Sequence, residues 1–194
     1  FGKDIRRIVM NKSYRNTIEI ASYANQLAGI TEVELFERHG KPVEEKEFPG
    51  LIEALERVVK ELKLEKQAVT EAEADRMEMA DVETAGAEGQ EEFSYETAAV
   101  ITRTVDEARE AYYILQKKLE AEGFDTKERL SLLHRDSTNF KKGLTVTTFY
   151  MAKGLEFDQV FSVFPRADRS PIVQRARYIA ATRALHELYM YEIT

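Results

Sequence analysis

The stretch TAAVITRTVDEAREAYYILQKKL, residues 97–119, contains the two patterns that decide the fold class. Its first six residues, Thr97–Thr102, form a short apolar run that is typical of a strand buried inside a parallel sheet. Thr104 and Glu107 then have the spacing of a capping box. An apolar stripe at helical spacing follows, formed by Ala108, Ala111, Tyr112, Leu115 and Leu119. The sequence therefore predicts a buried strand that leads into an amphipathic helix.

The alternation of strand and helix extends in both directions from this stretch. On the amino-terminal side the pattern predicts a strand around residues 5–10, a helix with Ile20, Ala24 and Leu27 that ends at Gly29, a strand at residues 33–36 and a helix after Pro49-Gly50. On the carboxyl-terminal side it predicts strands at residues 130–133, 144–149, 159–164 and 188–193, with a helix that begins at Ser170-Pro171. This order implies an α/β fold with a parallel sheet and helices on both faces.

Length and composition limit the class of protein. A chain of 194 residues, 43% hydrophobic and 32% charged, suits one soluble globular domain over residues 1–194. No run approaches the roughly 18 apolar residues that a membrane span needs, so we expect no membrane partner. The chain has no cysteine and no signal pattern at Phe1, which favours the cytoplasm. Its three histidines lack metal-site spacing, so we expect it to supply no metal ligand.

The formal net charge of -7 argues at first against a nucleic-acid partner. The acidic excess is local, however, because residues 71–92 contain nine acidic residues and one basic residue. The rest of the chain is close to neutral, which leaves room for a basic face. Since residues 71–92 also lack aromatic residues and a sustained period, we expect a mobile acidic insertion there.

Three polar stretches follow or precede predicted strands, where open α/β sheets place ligand sites. The first is SYRNT, residues 13–17. The planar donors of Arg15 suit a phosphate, and the ring of Tyr14 suits stacking on a base. The alternative, a capped helix with an exposed arginine and a half-buried tyrosine, remains open from spacing alone.

The second stretch is TTFYMAKGLEFD, residues 147–158. Gly154 permits close approach of the backbone, Lys153 offers a positive charge, and Glu156 can accept hydrogen bonds from ribose hydroxyls. An ordinary loop is the alternative.

The third stretch is RARYIAATRA, residues 175–184. It predicts a helix that directs Arg183 toward the sheet edge, with a plain surface arginine as the alternative. The residues expected to face the core are Ile172, Ala176, Ile179 and Ala180.

Together these stretches resemble, in order, the motifs of the C-terminal motor domain of UvrD/Rep/PcrA-type DNA helicases. SYRNT followed by ANQLAG (residues 24–29) resembles the family's NYRS…AN motif. MAKGLEFDQVF (residues 151–161) resembles AKGLEFD.VF, and RYIAATRA (residues 177–184) resembles YVAATRA. AAVITRT (residues 98–104) resembles the strand that the family writes as AVLYRTN. The resemblance spans nearly the whole chain and implies a RecA-like fold of the P-loop NTPase type.

The resemblance implies binding of ATP at the junction with a second domain. Tyr14 would stack on the adenine and Glu156 would hold the ribose, while Arg15 and Arg183 would reach the terminal phosphate as arginine fingers. The chain has no phosphate-loop motif, because Gly40-Lys41 is followed by Pro42. A preceding N-terminal RecA-like domain of the parent protein would therefore supply the phosphate loop and the Mg²⁺ ligands, and this chain alone is expected to be inactive.

Single-stranded DNA is the second ligand that the resemblance implies. Thr148 would touch a DNA phosphate, and Tyr150 occupies the place of a family histidine and would stack on a base. Lys153 and Gly154 would couple the nucleotide pocket to the DNA face. Basic residues that suit a strand path, with a solvated surface as an equal alternative, are Lys141, Lys142, Arg166, Arg169 and Arg175.

The chain also departs from the UvrD type. Only about 20 residues separate Gly123 from the strand predicted at Leu144, so the family's large accessory subdomain is missing. The chain looks closest to the HelD or helicase-IV-like branch, because of this shortening and of the sequences RYIAATRALHELYMY and ERHGKPVE. That branch implies RNA polymerase as a partner and a remodelling ATPase as an alternative function. A third alternative is a binding module that kept the fold and lost turnover.

Overall fold

The structure is a computed structural model of the chain. It describes residues 15–30, 38–64, 94–135 and 142–194, and the backbone alone at residues 12–13 and 34–35. The predictions made for residues 5–10, for Tyr14, for Lys141 and for the acidic insertion at residues 71–92 lie outside these residues.

The described residues form alternating strands and helices. In chain order they are β1 (Lys12–Ser13), α1 (Ile18–Ala28), β2 (Glu34–Leu35), β3 (Glu44–Phe48), α2 (Leu51–Glu61), β4 (Thr97–Thr102), α3 (Val105–Ala121), α4 (Thr126–Arg129), β5 (Leu130–Leu133), β6 (Gly143–Thr148), β7 (Phe157–Pro165), α5 (Pro171–Ala181) and β8 (Ala184–Ile193). Strand β1 pairs with β2 in parallel. The other six strands form one sheet in the order β3-β8-β7-β4-β6-β5.

All neighbouring strands of the six-stranded sheet are parallel. Helices α2 and α3 pack on one face of this sheet, and α1 and α5 pack on the other. The predicted α/β class, a parallel sheet covered by helices on both faces, is confirmed. Between Gly123 and β6 the described residues form only α4 and β5, in place of a large accessory subdomain.

Strand β4 shows why its sequence is apolar without alternation. Ala98 and Val100 face the core formed with α2 and α3, whereas Ala99 and Ile101 face the core formed with α1 and α5. All four side chains are fully buried. A strand buried on both faces needs apolar residues on both sides, as residues 98–101 provide.

The helix ends predicted from local signals are confirmed. Thr104 Oγ1 accepts a hydrogen bond from the Glu107 backbone N–H at 3.2 Å, and the Glu107 carboxylate accepts one from the Thr104 N–H at 3.0 Å. Gly29 caps α1 in the left-handed conformation, with φ of 65°. Ser170 caps α5, and Pro171 is its first residue. These signals act within one helical turn, which is why sequence alone locates them.

Several features differ from the predictions: the last strand begins at Ala184 and not at residue 188, and the short helix α4 was not predicted. Strand β3 was not predicted, because its sequence EEKEF lacks the apolar pattern of a strand. It lies at the sheet edge and pairs only with β8, so its side chains can remain exposed. The prediction that Ile172 faces the core is wrong, since its side chain is 66% exposed. Val173 and Arg177 occupy the inner side of α5 instead.

Substitution of Gly143 is expected to destabilise the chain. Gly143 begins β6 with φ of 115°, in the region that favours glycine. A Cβ atom there would lie 2.3 Å from the carbonyl oxygen of Arg129. Gly143→Ala should therefore lower the free energy of unfolding by about 2 kcal/mol, measured by urea denaturation.

Gly123→Ala is the matched control for this substitution. Gly123 also has a positive φ, 79°, but a Cβ atom there would meet nothing within 4 Å. Its substitution adds backbone strain without a clash, so we expect a smaller loss than at Gly143. Equal losses at the two glycines would contradict the role assigned to the close approach of Arg129.

Candidate functional site

Arg15, Glu156 and Arg183 come together at one edge of the sheet. Arg15 Nη1 donates to Glu156 Oε1 at 2.6 Å. The pKa of Arg183 is lowered, mainly because its guanidinium is partly buried. The charge of Glu156 raises this pKa and the charge of Arg15 lowers it, so both groups act on Arg183. Two guanidinium groups from distant parts of the chain thus share one carboxylate neighbour.

The loop before β7 positions the guanidinium of Arg183. Its Nη1 donates to the Leu155 carbonyl at 3.1 Å, and its Nη2 donates to Thr182 Oγ1 at 3.2 Å. Its Nε is buried and has no hydrogen-bond partner among the described residues. Arg183 is therefore held in place and retains a free donor.

The backbone around Arg15 is tied to the start of β8. Asn16 Nδ2 donates to the Ala184 carbonyl at 2.6 Å and is buried. Arg38 Nη2 donates to the Arg15 carbonyl at 2.8 Å and to the Leu185 carbonyl at 2.5 Å. These bonds hold the segment before α1, whereas the Arg15 side chain itself is 67% exposed. An exposed side chain on a fixed backbone can change partners at little structural cost.

The cluster lies at the amino ends of strands, whereas open α/β sheets commonly place ligand sites at the carboxyl ends. Glu156 directly precedes β7, and Arg183 directly precedes β8. The loop after β6 and helix α5 each return the chain to the start of the next parallel strand. Residues at the ends of these connections therefore meet at the amino edge.

The predicted DNA contacts divide between the two edges. Thr148 and Tyr150 lie at the carboxyl end of β6, and Lys142 lies at its amino end, 2.9 Å from Glu96. Thr148 is only 6% exposed, and its Oγ1 accepts a hydrogen bond from the Met151 N–H at 3.4 Å. Tyr150 is 66% exposed. The structure thus places Thr148 and Tyr150 together and separates Lys142 from them.

Lys153 and Gly154 lie in the loop between these two edges. Lys153 is exposed, and its Nζ lies 5.2 Å from the centroid of the Tyr150 ring. Gly154 has φ of 83° and open space where a Cβ would be. Their predicted coupling role stays a prediction. Two of the other basic candidates are in ion pairs, Arg166 with Glu47 and Arg169 with Glu192. Such pairs fit the alternative interpretation of these residues as part of a solvated surface.

A buried charge cluster near the same amino edge was missed by sequence reasoning. The carboxylate of Glu187, in β8, accepts hydrogen bonds from Lys63 Nζ at 2.8 Å and from the Tyr189 hydroxyl at 2.7 Å. It also accepts one from Gln159 Nε2 at 3.0 Å, and it lies 3.0 Å from Lys41 Nζ. Its signal in the sequence was an acid inside the apolar run of residues 184–191.

The pKa of Glu187 reflects these contacts. Burial alone would raise it, but hydrogen bonds from Lys63, Tyr189 and Lys41 outweigh burial and lower it to about 2. Glu187 is therefore a buried carboxylate that stays ionised, and it links β8 to the end of α2 and to the segment before β3.

Metal and membrane features were sought in the described part of the chain. There, no group of three or more histidine or acidic side chains is placed to hold a metal ion. None of the helices in these ranges combines the length and the apolar character of a membrane span.

Comparison with known proteins adds a family match to part of this site. Residues 143–191 match the family model of the UvrD-like helicase C-terminal domain. This segment runs from β6 into β8 and contains Lys153, Glu156 and Arg183. The sequence matches none of the curated proteins.

Solved structures show the fold. The C-terminal domain of a possible DNA helicase from Lactobacillus plantarum WCFS1 is 19% identical, with a TM-score of 0.58, and the likeness covers 93% of this chain and 88% of that one. The chain therefore has the fold of a helicase C-terminal RecA-like domain.

Two weaker likenesses have TM-scores below 0.4. Arterivirus nonstructural protein 10 (helicase) in complex with DNA has a TM-score of 0.37 and 14% identity, over 77% of this chain and 28% of that one. T. fusca Cas3 with ADP has a TM-score of 0.39 and 13% identity, over 90% and 24% respectively.

Proposed function

We propose that the chain is the C-terminal motor half of an ATP-dependent DNA helicase or translocase of the UvrD type. The observation that carries the proposal is the cluster of Arg15, Glu156 and Arg183 at one sheet edge. Two of these residues lie in the segment that matches the UvrD-like family model. Arg15 lies outside the matched segment, so its place in the cluster is independent of the match.

The cluster fits the phosphate end of a nucleotide. Guanidinium groups are planar, always charged and suited to phosphate oxygens, and this edge carries two of them. The Nε of Arg183 is buried and has no partner among the described residues, so one donor of this guanidinium is unsatisfied without a ligand. ATP would supply the phosphoanhydride bond that is hydrolysed, and the N-terminal half of the parent would hold Mg²⁺.

The residues of this chain would then have distinct tasks. Arg15 would exchange its carboxylate partner for a phosphate oxygen, which leaves Glu156 free to accept hydrogen bonds from the ribose. Arg183, fixed by Leu155 and Thr182, would stabilise negative charge on the terminal phosphate without reorganisation. Tyr14 would stack on the adenine, as the resemblance implies.

Single-stranded DNA is proposed to lie along the carboxyl edge of β6. The exposed ring of Tyr150 can stack on a base, and the neighbouring Lys153 ammonium can meet a phosphate. Thr148 is the third proposed contact at this edge. Lys153 and Gly154 belong to the loop that continues to Glu156, which gives DNA and nucleotide one connecting segment.

The proposal is tested on the parent protein that contains this chain. We expect ATP hydrolysis that single-stranded DNA stimulates, and DNA binding that Tyr150→Ala weakens more than the control Tyr113→Ala. Tyr113 is also exposed, but it lies on α3 and away from the loop. Absence of DNA-stimulated hydrolysis, with both halves present and folded, would leave a binding module that lost turnover as the better account.

The HelD-like alternative concerns the target of the motor. Neither the matched family model nor the three structures named above points to that branch. It predicts that the parent co-purifies with RNA polymerase and fails to unwind a tailed duplex. Unwinding without polymerase association would support the helicase proposal.

A further inference from the structure

A cavity of about 450 Å³ lies between the sheet and helices α1 and α5. Its floor consists of two rows of neighbouring residues across β3, β8 and β7. The rows are Glu45, Met190 and Ser162, and Glu47, Glu192 and Phe164. Because these rows lie toward the carboxyl ends of the strands, the cavity is separate from the Arg15 cluster. Glu192 follows Arg183 by nine positions along β8, roughly 30 Å at ~3.3 Å per residue.

Arg177 is one of the residues that line this cavity, and its guanidinium is only partly paired. Arg177 is 7% exposed and lies on the inner side of α5. Its Nη1 pairs with Glu192, whereas its Nε and Nη2 are buried without a hydrogen-bond partner among the described residues. The Glu192 carboxylate also accepts hydrogen bonds from Arg169, from Nη1 to Oε1 at 3.1 Å and from Nη2 to Oε2 at 3.2 Å. The contacts of Glu192 with Arg169 and with Arg177 Nη1 thus leave Nε and Nη2 of Arg177 unpaired among the described residues.

The free donors of Arg177 suit a two-oxygen anion. Nε and Nη2 lie side by side on the guanidinium, away from the Glu192 contact, and such a pair donates two parallel hydrogen bonds. A carboxylate accepts that geometry. The Ser162 hydroxyl, also buried and unpartnered among the described residues, adds a donor on the cavity floor.

The remaining walls restrict the rest of the ligand. Leu27, Phe164 and Met190 offer apolar surface for a hydrocarbon or aromatic body. Glu45, hydrogen-bonded to the Tyr23 hydroxyl at 2.5 Å, and Glu47 add negative charge at the edge strand. These two carboxylates disfavour a dianion such as a phosphate more than a monoanion.

We propose that this cavity binds a small organic monocarboxylate. Its carboxylate is held by Arg177 Nε and Nη2, and its apolar body contacts Phe164 and Met190. The volume lies within the ~300–1,000 Å³ typical of small-molecule sites. The site does not depend on the proposed function. None of its residues belongs to the cluster of Arg15, Glu156 and Arg183, or to the DNA contacts proposed at the carboxyl edge of β6.

Benzoate is the probe for this site, added to the full 194-residue chain labelled at its methionine methyl groups. We expect saturable NMR shifts of the Met190 methyl and a nuclear Overhauser effect between this methyl and the benzoate ring. Arg177→Met should weaken binding by about 10-fold or more. The matched control is Arg175→Met, on the exposed side of the same helix, which should bind benzoate as the wild type does.

Ligand controls keep the test valid if Arg177→Met does not fold. Benzyl alcohol has the same ring without the carboxylate and should not bind, and inorganic phosphate should give no saturable shift. The proposal is overturned if benzoate shows no contact with Met190 in the wild type, or if Arg177→Met binds it unchanged. Equal binding of benzyl alcohol, or binding of phosphate without benzoate, overturns it as well.

Discussion

Arg183→Ala in the parent protein is expected to lower ATP hydrolysis in the presence of single-stranded DNA by about 10³-fold. The reason is positional. Arg183 is fixed by hydrogen bonds to the Leu155 carbonyl and to Thr182, and it retains a free donor beside Arg15 and Glu156. Alanine removes the charge that would stabilise the terminal phosphate during transfer, while most of the nucleotide contacts remain.

Two further variants make the Arg183 result interpretable. Arg183→Lys keeps the charge but loses the planar fork, so we expect its rate to fall between those of the wild type and Arg183→Ala. Arg109→Ala removes an exposed arginine from α3, on the opposite face of the sheet from α5, and should hydrolyse ATP normally. Steady-state rates and nucleotide affinity would be measured separately. If single-stranded DNA still stimulates Arg183→Ala to the normal rate, the assignment of Arg183 as a finger is wrong.

The second large effect is expected at Glu187, on stability. Glu187 is 3% exposed, and its pKa is lowered from 4.5 to about 2. A shift of this size corresponds to about 3 kcal/mol in favour of the folded state when the carboxylate is ionised. Glu187→Gln should therefore lower the free energy of unfolding at pH 7 by about 3 kcal/mol, because Lys63 and Lys41 lose their shared anion.

The stabilisation of the folded state by Glu187 should decrease as the pH falls. Because the folded-state pKa lies below the unfolded value, the stabilisation is complete above pH 4.5 and is lost as pH falls from 4.5 to about 2. The difference in unfolding free energy between wild type and Glu187→Gln should shrink over that window. Glu110→Gln, at an exposed position on α3, is the control and should show no such dependence. A difference that stays constant down to pH 2 would refute the ionised-carboxylate account.

Local signals explain which parts of the fold were predictable. The strand at Thr97–Thr102, the capping box at Thr104 and the cap at Gly29 depend on residues within a few positions of each other. Strand β3 was missed because its place at the sheet edge, beside β8, is set by long-range pairing. Its charged sequence carries no apolar pattern that a local reading can detect.

The candidate site was likewise predictable in its residues but not in its three-dimensional arrangement. Arg15, Glu156 and Arg183 were predicted from motifs, because the order of residue types in a motif can be read directly from the sequence. Their position at the amino edge was not predicted, because it depends on how the connections cross a parallel sheet. The burial of Arg177 was likewise not predicted, since a charged residue in a sequence normally indicates a solvated face. Glu187 was missed for the same reason, although its position inside an apolar run is a signal of burial.

The sequence by itself determined the class of fold, the ends of most helices and the residue types of a phosphate-binding edge, because each follows from short-range periodicity, capping or a contiguous motif. Only the tertiary structure decided which side chains meet. It brought two arginines to one carboxylate, surrounded Glu187 with lysines and hydroxyls, and left two buried donors of Arg177 without a partner among the described residues. Most of these contacts join residues far apart in the chain, and their distances are set by the packing of strands, helices and loops.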